Sequence, residues 1–326
     1  MSDTANSILT GKEILLSSQE EDNYLIESIL WENQVIMVLA REKVGKSILT
    51  LQMACSLSCG EAFLGEYEIP YPMPILYIQT ESSIAETAQR LKAMSKGIGW
   101  KPENFNLLST HSLELDNPQC LEWIVKQIDK KKIAPKVIFL DPLYMSMKGS
   151  LNDDESSRAL SRHIRQLGDY YKASVVVVHH EHRQKRAKDN NLIDEGDNSI
   201  MGSFVWKAFP NHVVHLRIRP DKIRTLSCNT QRSGAVIDEM LLELCQPNPL
   251  HYKVLGTPDH QAYMDTVLNY FKINEKGHAK EISELTGLSL SAVKKSLAYF
   301  TKFNVNKLKK INAGSRPTYY ALSTPS

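Results

Sequence analysis

Val35-Ile36-Met37-Val38-Leu39-Ala40-Arg41-Glu42-Lys43-Val44-Gly45-Lys46-Ser47 is the stretch on which the reading of this chain turns. An apolar run of strand character enters a short loop, and Gly-Lys-Ser then opens a helical pattern carried by Ile48, Leu49, Leu51, Gln52, Ala54 and Cys55. Strand, loop and helix N-terminus are the order that a phosphate-binding loop of the form G-x-x-x-x-G-K-[ST] requires. In such a loop successive N–H groups point inward as an anion nest, and the helix behind adds the positive end of its dipole. Gly45 lets the backbone approach a phosphate with no Cβ in the way. Lys46 is placed to reach the β- and γ-phosphates, and the Ser47 hydroxyl to join the shell of a Mg²⁺ ion. The first glycine of the pattern is replaced by Ala40, which adds one methyl group. The expectation is a nucleoside triphosphate, ATP with Mg²⁺, cradled by Ala40, Arg41, Glu42, Lys43, Val44, Gly45, Lys46 and Ser47.

Further strands end in residues that suit the same chemistry. Ile75-Leu76-Tyr77-Ile78-Gln79-Thr80 is a strand that stops at Glu81, and Lys136-Val137-Ile138-Phe139-Leu140 is one that stops at Asp141. Ser174-Val175-Val176-Val177-Val178 stops at His179-His180. Helical patterns lie between them, one with Ile84, Ala88, Leu91 and Met94 on one face, one opening at Cys120, and one over 153–172. Strands alternating with helices predict a mostly parallel sheet with right-handed crossovers, whose ligands sit at the C-terminal strand ends. Lys46, Glu81, Asp141, His179 and His180 all fall at those ends. Asp141 is expected to hold Mg²⁺ opposite Ser47, with the plain alternative of an aspartate capping the turn after it. Glu81 is placed to orient the attacking water, or else to open the next helix as an ordinary first-turn acid. His179 or His180 is expected to hydrogen-bond the γ-phosphate.

Composition sets the frame. The chain has 326 residues, 42% of them hydrophobic, and a formal charge of only +2, so any basic surface has to be local. That length suggests one large domain plus a small one. No apolar run reaches the length of a membrane span, the first residues lack the layout of a signal peptide, and the five cysteines are an odd number. A reduced, cytoplasmic protein that does not contact a membrane is expected, with Cys55 and Cys59 as small packing residues.

After His180 the character changes. Glu181 to Asn191 is polar, and Arg183, Lys185, Arg186 and Lys188 make it basic. A basic loop at the nucleotide end of the sheet can touch a nucleic-acid backbone and feel the γ-phosphate together. Ser199-Ile200-Met201-Gly202-Ser203 then opens a helix-like stretch. His212 to Arg219 and Ile223 to Asn229 form a hairpin across Pro220-Asp221, added to the sheet as an antiparallel pair. Gln231-Arg232-Ser233-Gly234 follows, with a last strand near Met240–Leu244.

In this order the residues resemble the RecA-like ATPases, and most closely the RepA-type replicative helicases of plasmids and their relatives. The resemblance spans residues 24–245 and rests on Lys43–Ser47, Glu81, Asp141-Pro142-Leu143, His179-His180, Gly202-Ser203 and the hairpin leading to Arg232. It implies a ring-shaped hexamer that moves on single-stranded DNA, with each nucleotide held between neighbouring subunits. It also implies Glu81 as the catalytic glutamate and the histidine pair as the γ-phosphate sensor. Arg232 would be an arginine finger offered to the next subunit's ATP. Two positions depart from the family's pattern: Thr230 stands where a lysine is usual, and Met201 where an arginine often precedes Gly-Ser.

The tail is a second module. Gln246 to Pro258 is rich in proline and suggests a joint, giving an N-terminal extension 1–28, an ATPase domain 29–246, a linker 247–260 and a small domain 261–326. Ala262 to Phe271 is amphipathic. His278–Thr286 and Ser291–Phe300 are two helices joined at Gly287-Leu288-Ser289, a helix-turn-helix arrangement. Asn306–Ile311 and Thr318–Leu322 would form the strands of a wing, so the module resembles a winged helix. From residue 260 onward ten basic residues stand against four acidic ones, a net +6, which leaves −4 for the rest of the chain. That asymmetry points to duplex DNA, met by Lys294, Lys295, Lys309 and Arg316. The expectation is an ATP-driven DNA motor. Its rivals are an ATP-switched DNA-binding regulator or recruitment factor, and a recombination mediator that does not unwind.

Overall fold

The structure is a computed structural model that describes residues 8, 10–12, 24–182, 199–219, 221–231, 237–288, 290–301, 307–311 and 318–323. Its contacts divide the chain into two compact units, Met1–Asp238 with Leu242–Val254, and Glu239–Leu241 with Leu255–Ser326.

The first unit is built on a nine-stranded sheet. Its strands are β3 (Val35–Ala40), β4 (Ile75–Gln79), β5 (Phe105–Ser109), β6 (Val137–Asp141), β7 (Ser174–His180), β8 (His212–Ile218), β9 (Arg224–Gln231), β10 (Ile237–Cys245) and β11 (His251–Gly256), in the spatial order β11-β10-β9-β8-β3-β7-β6-β4-β5. β3 to β8 run parallel, and β9 turns back antiparallel to β8, which gives the mixed α/β sheet with its added hairpin. β3, β4 and β6 are buried at every position, as strands covered on both faces are. Helices α1 (Lys46–Cys59), α2 (Ile84–Ile98), α3 (Pro118–Lys130), α4 (Asp154–Tyr171) and α5 (Val205–Ala208) fill the crossovers. Leu39, Ile78, Leu140 and Val177 pack with Ile124 of α3, Leu160 and Ile164 of α4, and Trp206 of α5 in one apolar cluster. α1 lies on the other face, where strand alternation puts Tyr77 beside its Thr50.

Local chemistry sets the helix boundaries. Ser83 and Glu86 close a capping box at the start of α2, Asn117 with Pro118 opens α3, and Asp153 caps α4. α1 opens differently. Its N-cap is Gly45, in a left-handed conformation with φ 109° and no capping side chain, so the first N–H groups of the helix are not covered by the chain's own cap.

Several expectations need correction. The stretch 247–260 is not a free joint, because residues 251–256 are the outermost strand β11 and a helix begins at Pro258. The expected N-terminal extension also reaches into a paired strand, since β1 (Tyr24–Ile26) pairs with β2 (Leu30–Trp31). The helix expected from Ser199 is confined to α5, since Ile200 instead bridges to Glu181.

The second unit contains α6 (Pro258–Ile273), β12 (Gly277–His278), α7 (Ala279–Thr286), α8 (Leu290–Phe300), β13 (Leu308–Lys310) and β14 (Tyr319–Leu322). β12 and β13 flank β14 in a small antiparallel sheet. Met264, Val267, Ile282, Val293, Leu297 and Leu308 share its core. His278 and Glu281 form the capping box of α7, and Gly287, with φ 72°, ends that helix and begins the turn to α8.

Candidate nucleotide site

The site is assembled at the C-terminal edge of the parallel strands. Ala40 ends β3, buried, and its carbonyl accepts the Glu181 N–H at 3.2 Å. Arg41, Glu42 and Lys43 are exposed in the loop, Lys43 with φ 62°, and Val44 is buried beneath them. Lys46 follows Gly45 at the head of α1, largely buried, with its Nζ 3.2 Å from His180 Nδ1. An ammonium can only donate, so Nδ1 accepts and His180 carries its proton on Nε2. Burial and then the Lys46 charge hold the His180 pKa below the ordinary histidine value, which keeps that acceptor available at neutral pH.

Ser47 Oγ donates to Asp141 Oδ1 at 3.2 Å, and Tyr77 Oη donates to Asp141 Oδ2 at 2.7 Å. Asp141 therefore faces the first turn of α1 and caps no helix. Its burial pushes its pKa up, against the Tyr77 and Ser47 hydrogen bonds and the Lys46 charge; burial likewise pushes Lys46 down, against Asp141 and Glu81. A hydroxyl and a carboxylate side by side are a hard oxygen donor set, so Ser47 and Asp141 fit a Mg²⁺ ion. When bound, that ion would favour the charged carboxylate and offset phosphate charge.

Glu81 lies beyond β4 and ahead of the Ser83 cap, exposed, and accepts a hydrogen bond from Tyr144 Oη. It does not belong to the first turn of α2. The histidine pair is split by strand alternation. His180 faces the loop, whereas His179 is fully buried on the opposite face, donates from Nε2 to Met201 O at 2.7 Å and packs near Trp206. His179 is thus no sensor of a phosphate: a one-residue step along a strand reverses the side-chain direction. Beside the loop opens a cleft of about 490 Å³, whose walls include Arg41, Lys43, Tyr144, His180 and Met201.

Glu181, expected in the polar loop, is buried at the sheet edge instead. Its Oε1 accepts from Ser199 Oγ at 3.3 Å and from His215 Nδ1 at 3.2 Å, with Arg217 Nε 3.5 Å away. Burial raises its pKa, but the His215 hydrogen bond and the Arg217 charge outweigh that and hold it below the usual carboxylate value. The Gly202-Ser203 pair also acquires a role. Gly202 has φ 104° and a Cβ there would stand 2.8 Å from Leu151 O, while Ser203 Oγ donates to Asp154 and accepts the Val205 N–H.

Sequence reading missed Tyr252. This residue of β11 donates its hydroxyl to Val44 O at 3.1 Å and Gly45 O at 3.3 Å, behind the phosphate loop. Gln52 of α1 clamps the Tyr252 backbone, donating to its carbonyl at 3.0 Å and accepting its N–H at 2.6 Å. Burial pushes the Tyr252 pKa up to about 12, against an Arg224 side chain that hydrogen-bonds it, so the hydroxyl stays a donor. A Cβ on residue 45 would lie 2.2 Å from Tyr252 Oη, so glycine is required there by φ and by space alike. No local pattern could show this, because the partners are 207 and 208 residues apart.

Arg232, Arg183, Lys185, Arg186, Lys188 and Arg316 lie outside the described residues, as does the side chain of Lys295. Lys294 on α8 and Lys309 on β13 are exposed in the second unit.

This strand-to-helix phosphate loop, with a strand-terminal acid opposite its Ser47, agrees with what sequence comparison finds. A family model described as "AAA domain" matches residues 8–186. The chain belongs to the AAA domain family. No curated protein matches it in sequence. Among solved structures, one described as an ATPase domain is similar at a TM-score of 0.55 and 14% identity, over 73% of this chain and 96% of that one. A DnaB-like replicative helicase, described with its interactions with primase, is similar at a TM-score of 0.52 and 14% identity. That match covers 68% of this chain and 59% of the helicase. At such identities the likeness is one of fold. With the family and the loop it makes this AAA domain protein a RecA-like P-loop ATPase. Among the described residues no helix is long and apolar enough to cross a membrane.

Proposed function

We propose that the chain hydrolyses ATP to drive movement on DNA, as a hexameric RepA-type replicative helicase of a plasmid, phage or other mobile element. The observation that supports this most is where the ends of β8 and β9 lie. Lys46, Ser47, Asp141, Glu81 and His180 share one edge of the sheet. Gln231, the residue before Arg232, pairs with His212 at the opposite edge. On this reading Arg232 would serve another copy's nucleotide, and each site would be completed only by its neighbour. Lys46 would bind the β- and γ-phosphates, Glu81 would prepare the water, and Arg232 would offset charge in the transition state. Mg²⁺ held by Ser47 and Asp141 would supply Lewis-acid neutralisation of the phosphates. The basic residues 183–188 would follow single-stranded DNA, and the protein would act in the cytoplasm.

The second unit supports a duplex-binding role. Its helix order, the turn at Gly287 and the small antiparallel sheet support reading it as a winged helix, and Lys294 and Lys309 are exposed on it. We assign the first domain to 29–246 and the small one to 261–326, with β11 continuing the first.

Thr230 and Met201 favour one second reading, an ATP-switched DNA-binding regulator. A forked duplex separates the two. The motor unwinds it with ATP and loses that activity as Lys46→Ala, whereas a switch binds the duplex and never opens it. Mass photometry with ATP and single-stranded DNA is expected to show a ring. A protein that stays a single copy and hydrolyses ATP at full rate as Arg232→Ala would overturn the reading.

A further inference from the structure

Directly after Asp141, residues Leu143–Ser146 form a single 3-10 turn. Leu143 and Ser146 are buried, and Ser146 Oγ donates back to Pro142 O at 3.0 Å, so the turn is fastened at both ends. Tyr144 stands on its outer side. The edge of its ring meets the His180 ring, with centroids 5.1 Å apart at 66°, and its hydroxyl donates to Glu81 Oε1. Among the described residues, no other group hydrogen-bonds Glu81. One side chain therefore touches both the carboxylate beyond β4 and the histidine that accepts from Lys46.

We propose that Tyr144 is a positioning residue for Glu81, holding its carboxylate at the phosphate edge in fixed relation to His180 and Lys46. An exposed glutamate explores several rotamers, and a group that must take a proton from one water molecule is useful in few of them. With Oε1 anchored by a tyrosine on a fastened turn, Oε2 is left to accept the proton of the water. Burial and the Glu81 hydrogen bond push the Tyr144 pKa up to about 12, so the phenol remains a donor through the physiological range. The ring contact with His180 gives the carboxylate a mechanical link to the γ-phosphate side of the site. This inference rests on the reading of Glu81 as the residue that prepares the water.

The test is single-turnover ATP hydrolysis by the full chain in four forms: wild type, Y144F, E81Q and E81Q/Y144F. Phenylalanine keeps the ring on His180 and removes only the hydroxyl. Y144F is expected to lower kcat about tenfold, the loss of one hydrogen bond to a charged group, with KM for ATP and the thermal midpoint unchanged. Because Tyr144 acts through Glu81, Y144F is expected to add nothing to E81Q. A purely structural role would lower both backgrounds by the same factor, and that result overturns the proposal. So does a Y144F rate equal to or above wild type while E81Q is slow. Full activity in E81Q itself overturns the assignment of Glu81, a result distinguishable from the failure of Tyr144 alone.

Discussion

The two edges of the central sheet are made from the same strands and behave as opposites. At the N-terminal edge several polar groups pair with one another. Asn211 Oδ1 accepts the Val35 N–H at 2.9 Å, His212 Nε2 donates to Gln34 Oε1 at 2.7 Å, and Ser174 Oγ donates to Trp31 O at 2.7 Å. The Trp31 ring lies against His212 and covers this end. At the C-terminal edge the chain places an uncapped helix start, a buried lysine, a buried aspartate and a glutamate held by one tyrosine. Burial pushes both Lys46 and Asp141 away from their charged forms there. One edge uses its hydrogen-bonding capacity internally for stability. The other keeps strong donors and acceptors directed at a common point, which costs stability and suits a polyanion and its cation.

Substitutions can test how separate the two edges are. The largest effect is expected from Lys46→Ala, which removes the ammonium and lowers ATP hydrolysis by a factor on the order of a hundred or more with little change in the thermal midpoint. Trp31→Ala is its mirror image, expected to cost about 2 kcal/mol in denaturant unfolding with kcat within about twofold of wild type. If Trp31→Ala abolishes hydrolysis at unchanged stability, the division between the edges is wrong. A smaller and sharper effect concerns the support of the loop from behind. Gly45→Ala is expected to lose most ATP binding, since φ 109° and Tyr252 Oη both oppose a methyl group. Tyr252→Phe alone is expected to cost about 1 kcal/mol, one hydrogen bond. Combined with Gly45→Ala it restores part of the binding, because the nearest remaining ring atom is 3.4 Å from the new Cβ. Isothermal calorimetry on the three variants measures this, and a double variant no better than Gly45→Ala refutes steric blocking by the hydroxyl.

An effect confined to pH dependence separates the two histidines at the end of β7. Burial lowers the His179 pKa to about 4 from 6.5, against its hydrogen bond to Met201. Between these values the unfolded chain binds the extra proton and the native state does not. The stabilising effect is therefore present above pH 6.5 and is lost as the pH falls towards 4. From pH 7 to pH 5 this residue accounts for about 2 kcal/mol of lost stability. His179→Gln, which does not titrate, is expected to remove that part of the pH dependence in urea unfolding while leaving hydrolysis near wild type. An unchanged pH slope would place His179 in contact with solvent.

Much of the fold was legible because its signals are local. Continuous apolar runs ending at Ala40, Glu81 and Asp141, separated by helical periodicity, carry their strand and helix character in short windows. The position of Lys46, Ser47 and Asp141 at one edge followed from the rule for parallel sheets. The split of His179 from His180 was not legible, since a pair of like residues at a strand end does not say which member points where. Glu181 was misplaced because a charged residue in a charged run gives no sign that His215 and Arg217, on a strand 34 residues and more later, will bury it. The stretch 247–260 was misread because its prolines signal a break more strongly than Tyr252 signals a strand.

The sequence by itself therefore determined that a phosphate loop exists, which residues form its basic and acidic parts, and that a parallel sheet presents them together. These are properties of backbone preference and of spacing within short windows. Only the tertiary structure decided that Tyr252 props the loop and that Tyr144 holds Glu81, with His180 alone of its pair facing Lys46. Each of those depends on where one side chain stands relative to an element distant in the chain, and no short-range pattern encodes a contact whose partners meet only after the sheet has closed.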